Sequence, residues 1–147
     1  MGIIAIAVLG LLTALSGGLA LGEATREHTL ALTATRQKIE ELRAVDFDSL
    51  LTSFHAATVV GPTFDVTGLK PVAGEHHVGR VRFLTEAETQ AEYSLTNVDI
   101  DLDGTLNEAE AANSDFKYFP VKVIVRWHGN TGDRKVELST IIYNMGR

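Results

Sequence analysis

The chain has no cysteine among its 147 residues, which excludes disulfides, thiol catalysis and thiolate metal sites but is compatible with every compartment. It has no excess of basic residues. Lys and Arg number 13 against 19 Asp and Glu, a formal net charge of -6, so the sequence disfavours nucleic acid, which rewards clustered cations. No platform of aromatic and basic residues appears either. Also missing are Gly-x-Ser-x-Gly, His-Glu-x-x-His and any phosphate-cradling glycine loop, so the usual motifs for acyl transfer, zinc hydrolysis and nucleotide binding are not present. The sequence offers no catalytic residues and no small-molecule substrate. The most telling absence is local: residues 1–22 contain no charged side chain, and the first charges arrive together at Glu23, Arg26 and Glu27.

That uncharged start reads as a helix, and the helical pattern continues past Gly22 through Thr29 to Arg43. The first 22 residues are long enough to cross a bilayer at about 1.5 Å per residue. A cleaved signal peptide is a second reading, since Ala20-Leu-Gly22 before Glu23 loosely resembles a small-residue cleavage site. However, no Lys or Arg precedes the apolar run. A buried core helix is the third. Continuity of the pattern across Gly22 favours an uncleaved membrane segment. Gly17-Gly18 is a weak point, because glycine costs about 1 kcal/mol in a helix interior. Further on, Leu32, Thr35, Ile39 and Leu42 share a face at 3-4-3 spacing, opposite Arg36, Lys38, Glu40, Glu41 and Arg43. This stripe is expected to pack on the chain's own sheet rather than on a partner helix. Ala44-Val-Asp-Phe-Asp48 should end the helix.

The remainder reads as β-rich. Gly61-Pro-Thr-Phe-Asp-Val-Thr-Gly68 is turn, short strand, turn. His77 to Leu84 alternates Val78, Arg80 and Arg82 against Gly79, Val81 and Phe83. Phe119 to His128 places Val121, Val123, Val125 and Trp127 on one face and Lys122, Ile124 and Arg126 on the other. Lys135 to Tyr143 alternates again, with Val136, Leu138 and Ile142 on one side. Gly129-Asn-Thr-Gly132 is turn chemistry, so these last two runs should form an antiparallel hairpin. A long helix followed by a small antiparallel sheet is an α+β plan. Its organisation is residues 1–22 as the apolar half-helix, 23–46 as the amphipathic half and 47–147 as one small globular domain.

The sharpest local motif lies at 99–110. Asp99, Asp101 and Asp103 occupy the first, third and fifth positions of a twelve-position calcium loop, and Gly104 the sixth, where the chain turns tightly. Thr105 would offer its backbone carbonyl, Asn107 would ligate directly or through water, and Glu110 at the twelfth position can bind through both carboxylate oxygens. Leu106 is the apolar eighth residue. Calcium needs six to eight oxygens near 2.4 Å, which this spacing can wrap around one centre. A solvated acidic turn is the plainer reading, since Asp and Gly are common in turns, but it does not explain the distant glutamate. The exit helix can run only from about 107 to 113, and no second loop pairs with this one. A lone loop on short flanks implies a structural site with a dissociation constant of about 10⁻⁵ to 10⁻³ M. Of the histidines (His28, His55, His76, His77 and His128), the adjacent pair would face opposite ways on a strand and reads as exposed polar residues. Glu108 with Glu110 could be taken for an acid-base pair, but the calcium reading explains Glu110 better.

Taken together, the apolar helix running into Ala34-Thr-Arg-Gln-Lys-Ile-Glu-Glu-Leu-Arg-Ala44 and Phe47 resembles minor pilins of the type IV pilus modification class and the related minor pseudopilins of type II secretion. Gly61 to Leu69 and the closing hairpin, with Val123-Ile-Val-Arg-Trp127 and Glu137-Leu-Ser-Thr140, are similar to that family as well. The resemblance implies a pilin-like fold and a subunit anchored in the bacterial inner membrane, its domain in the periplasm or at the cell surface. It also implies assembly with other pilins or pseudopilins through the N-terminal helix. Major pseudopilins hold structural calcium, which suits the acidic loop without equating the two sites. The family begins with a short basic leader, a glycine cleavage site and a glutamate near the start of the helix. Met1-Gly-Ile-Ile-Ala-Ile-Ala-Val-Leu9 resembles the middle of that helix, so the true start is expected upstream of Met1. Two rival readings remain. A membrane-anchored calcium-binding module with no filament role predicts a native start at Met1. A secreted dockerin-like or substrate-binding domain predicts cleavage before Glu23.

Overall fold

The computed structural model describes residues 2–47, 49–50, 60–100, 102, 104, 117–130 and 132–143, and of residues 2–10, 14 and 60 the backbone alone. Its order is α1 (Gly2–Ala44), β1 (Val60–Phe64), β2 (Gly79–Phe83), α2 (Glu86–Tyr93), β3 (Tyr118–Gly129) and β4 (Gly132–Tyr143). The strands form one antiparallel sheet in the order β1-β2-β3-β4, and α1 packs across it. The architecture is therefore α+β, as expected from the sequence.

The 43 residues of α1 make a rod about 64 Å long. It contains no proline, and three of its threonines satisfy their hydroxyls within the helix. Thr25 Oγ1 donates to the Leu21 carbonyl at 2.9 Å, Thr29 to Thr25 at 2.9 Å and Thr35 to Ala31 at 2.7 Å. The helix ends at Ala44, two residues before the boundary read from the sequence, and Val45 N–H still donates to the Leu42 carbonyl at 3.3 Å.

The second half of α1 lies on the sheet's own inner face. Thr35, Ile39 and Leu42 are buried as the stripe predicts, but the fourth contact is Ala31, fully buried, while Leu32 is only half-buried. A small residue at 31 lets the helix axis approach the sheet over Trp127, where a leucine would hold it off. Val81, Val121, Val123 and Val125 are completely buried and Trp127 is 1 % exposed. Ile39 and Leu42 join Leu50, Val81, Phe119, Val121 and Val123 in one cluster; Ala31 joins Val78, Val125, Trp127 and Val136 in a second. Gly79 is required at its place, because a Cβ there would lie 2.4 Å from the Phe64 ring.

The β3–β4 hairpin closes on the pair Gly129↔Gly132, and Gly132 has φ +112°, a value open to glycine and to few other residues. On the outer face, α2 is an element that hydrophobic periodicity does not reveal. Thr85 is its N-cap, accepting the Glu88 N–H, while the Glu88 carboxylate accepts the Thr85 N–H. This is a reciprocal capping box. Ion pairs dock the helix: Arg82 with Glu88, and Lys122 with Glu92. Ser139 Oγ also donates to Glu92 at 2.6 Å.

The Glu92 carboxyl is held below its ordinary 4.5, first by the hydrogen bond from Lys122 and then by that from Ser139. A depressed carboxylate contributes stability that is complete above the unfolded value and is lost as pH falls through the lower folded value. Glu92→Gln is therefore expected to reduce stability near neutrality and to flatten the fall below about pH 4.5. Urea titrations of both proteins between pH 3 and 7 check this; parallel pH profiles would refute it.

Candidate functional site

Two features stand out from the folded domain: the first half of α1 and the acidic segment that begins at Asp99. Among the described side chains of α1, the first half-buried residue is Ala24, followed by Glu27 and Leu30, and the first buried one is Ala31; every described side chain from Leu11 to Glu23 is exposed. Leu11, Leu12, Leu15, Leu19 and Leu21 are 57–77 % exposed. Gly17, Gly18 and Gly22 stand so free that an added Cβ would meet nothing within 4 Å. Scattered exposed leucines need no explanation, but a contiguous apolar surface of this kind marks a site of contact with protein or lipid.

Among the described residues, no helix is long and apolar enough to cross a membrane. The α1 backbone continues to Gly2, and the charge-free sequence from there to Gly22 would reach about 31 Å.

Of the six ligands expected for calcium, only Asp99 lies among the described residues; Asp101, Asp103, Thr105, Asn107 and Glu110 lie outside them, as do Glu108 and the short exit helix. Among the described residues no group of three or more His, Asp or Glu side chains could hold a metal ion. The entry to the loop is nonetheless defined. Asp99 Oδ1 accepts the Leu102 N–H at 2.5 Å and Oδ2 accepts the Gly104 N–H at 2.9 Å. Leu102 has φ 65° and Gly104 φ 91°, so the chain curls back around the Asp99 carboxylate as the sixth-position glycine of a calcium loop requires. Of the expected ligands only Asp99 can be weighed against the group here, and the turn around its carboxylate is compatible with a first-position oxygen donor.

Ile100 holds the base of this excursion. It is 2 % exposed, its N–H donates to Glu86 Oε1 at 2.7 Å, and its carbonyl accepts from Lys117 and Tyr118 at 3.0 and 3.3 Å. Glu86, in the first turn of α2, is completely buried. The sequence gives no sign of this carboxylate's role, because its partner is identified only by the packing of α2.

The histidines stay outside any metal arrangement among the described residues. His28, His76, His77 and His128 are exposed; His77 Nδ1 lies 3.1 Å from Asp65 and His128 Nδ1 2.7 Å from Asp133. His55 lies outside the described residues. A shallow groove on the outer face is lined by Thr63, Glu75, Arg80, Ile124 and Arg126 among others. Glu75 pairs with both arginines, at 2.6 Å to Arg126 and 3.7 Å to Arg80, so one carboxylate offsets part of their charge. Comparison with protein-family models, with curated proteins and with solved structures finds no match to this chain.

Proposed function

We propose that this protein is a minor pilin or pseudopilin, a structural subunit that enters a type IV pilus or a type II secretion pseudopilus without catalysing a reaction. The observation that carries the reading is the division of α1. One half rests a face on the sheet, half-buried from Ala24 and fully buried from Ala31; the other is uncharged in sequence and leucine-rich, and its described side chains from Leu11 to Gly22 are exposed. A free domain gains nothing from displaying such a rod in water, whereas a bilayer or a bundle of like helices removes the cost. Ala5, Gly10, Ala14 and Gly18 are small residues of the kind that allow close approach of helices in lipid. In this reading residues 1–22 sit in the bacterial inner membrane before assembly, and the domain faces the periplasm or the cell surface. Calcium, held by Asp99, Asp101, Asp103, the Thr105 carbonyl, Asn107 and Glu110, would bring the carboxylates together and firm the loop above Ile100.

The absence of native cysteine gives a clean test. Single cysteines replacing Leu11, Leu15 or Leu19, and Thr67 on the domain as a control, are introduced into the protein in its native membranes and oxidised. The expected result is crosslinked species containing this chain at the three α1 positions, and few at Thr67. Monomers throughout, with the chain firmly membrane-bound, would overturn the filament role in favour of an anchored module. Recovery of the chain in the soluble fraction would overturn the membrane assignment as well.

A further inference from the structure

The point at which α1 leaves the sheet is built around one carboxylate. Glu27 Oε2 accepts the indole N–H of Trp127 at 3.1 Å. Trp127 is 1 % exposed, so its N–H has little access to water and needs this partner. The tip of the β3–β4 hairpin makes room for the carboxylate: a Cβ on Gly129 would lie 2.6 Å from Glu27 Oε2. One helical turn earlier, Glu23 accepts from Asn130 Nδ2 at 3.5 Å, an exposed contact at the limit of a hydrogen bond. Towards the N-terminus no described side chain from Leu11 to Gly22 is buried. The full burial of α1 begins only at Ala31. Among the described residues Glu27 is therefore the last firm attachment of the helix, and from there to Gly2 the rod extends about 37 Å. A tilt of about 10° at this point would displace its far end by roughly 6 Å.

We propose that Glu27 is a positioning residue that sets the direction in which the apolar half of α1 leaves the domain, with the hairpin tip at Gly129 as its socket. Lifting the helix away would strand a buried indole N–H, so the hydrogen bond resists tilting in a way that apolar contacts further along the helix do not. The consequence for assembly rests on the reading of that half as the assembling element. A subunit whose rod points in a defined direction meets its neighbours in register; one whose rod swings meets them at random.

Gly129→Ala is the sharpest probe. The residue has no positive φ, the other contacts of the new Cβ are ordinary at 3.4 Å to the Arg134 side chain, and the one atom in its way is the far end of a flexible glutamate. The methyl group should expel the carboxylate and leave the sheet intact. Spin labels on cysteines replacing Leu19 and Lys117 report the angle between rod and domain in the full chain in detergent micelles. The parent should give a narrow distance distribution. Gly129→Ala and Glu27→Ala should broaden it at least twofold, while Glu27→Gln, whose amide oxygen still accepts from the indole, should keep it narrow. Distributions in the Ala variants that coincide with the parent would overturn the proposal. If Glu27→Ala fails to fold, Gly129→Ala decides. Crosslinking at Leu19 in membranes gives the second readout, and Gly129→Ala should weaken it severalfold. Absence of crosslinks in the parent would sink the filament reading alone, because the distance measurement does not depend on it.

Discussion

Replacing Trp127 by alanine is expected to destabilise the domain by about 3–5 kcal/mol, the range for removing a buried large aromatic from a packed core. Trp127 is the only tryptophan and lies in the cluster that joins Ala31 of α1 to Val78, Val125 and Val136 of the sheet region. Ala31 is completely buried on the same helix as Thr35, Ile39 and Leu42, so the helix cannot collapse into the void without shifting the rest of its stripe. The cavity therefore stays largely open, which puts the cost in the upper part of the range. Trp127→Phe keeps an aromatic ring in the cluster but loses part of the indole and its N–H to Glu27, so a smaller loss of about 1–3 kcal/mol is expected, in the range of a hydrogen bond to a charged group. Because the variants lack the single tryptophan, unfolding is followed by far-ultraviolet circular dichroism in urea. A loss below 1 kcal/mol for the alanine variant would mean that α1 does not depend on this cluster.

Calcium is expected to raise the unfolding midpoint substantially, and its chelation to reverse the effect. Asp99, Asp101, Asp103 and Glu110 are concentrated in a short segment, and their repulsion in the ion-free state is relieved only when a cation bridges them. At a free calcium concentration 100 times the dissociation constant, binding to the folded state adds about 2.7 kcal/mol. For a domain of this size that corresponds to a rise of roughly 10–20 °C. Glu110→Gln removes the bidentate ligand and should abolish most of the shift. Magnesium should substitute poorly, because it demands a smaller, stricter octahedron. Thermal melts in calcium, in magnesium and after addition of a chelator check this. An unchanged midpoint at about 10 mM calcium, well above the expected constant, would refute the calcium reading.

Much of the fold is legible because its signals are local. Alternation at Val121, Val123, Val125 and Trp127 marks an inner face, and it is this face that is buried. Gly129-Asn-Thr-Gly132 closes the hairpin as its turn chemistry requires. The helix stripe at Thr35, Ile39 and Leu42 meets the chain's own sheet. α2 is not legible by the same means, because it is short, polar and held by a cap and by ion pairs to Arg82 and Lys122. Its one local sign is the Thr85-x-x-Glu88 spacing of a capping box. Ala31 is likewise overshadowed by Leu32: periodicity ranks residues by hydrophobicity, while close approach of a helix to a sheet favours the smaller side chain.

The candidate site divides in a similar way. Asp99 and Gly104 are marked by their spacing in the loop, and the bonds between them are also local. Glu86 and Glu27 are ordinary surface-type residues in the sequence, and each gains its role from a distant partner: Ile100, 14 residues away, and Trp127, 100 residues away. The order of residues alone determined the long helix with its uncharged half, the hairpin and the position of the acidic loop, since charge, period and turn chemistry are properties of neighbouring residues. Only the tertiary structure decided where α1 leaves the sheet, which carboxylates are enclosed and which leucines remain uncovered, because burial depends on which surfaces far apart along the chain come into contact.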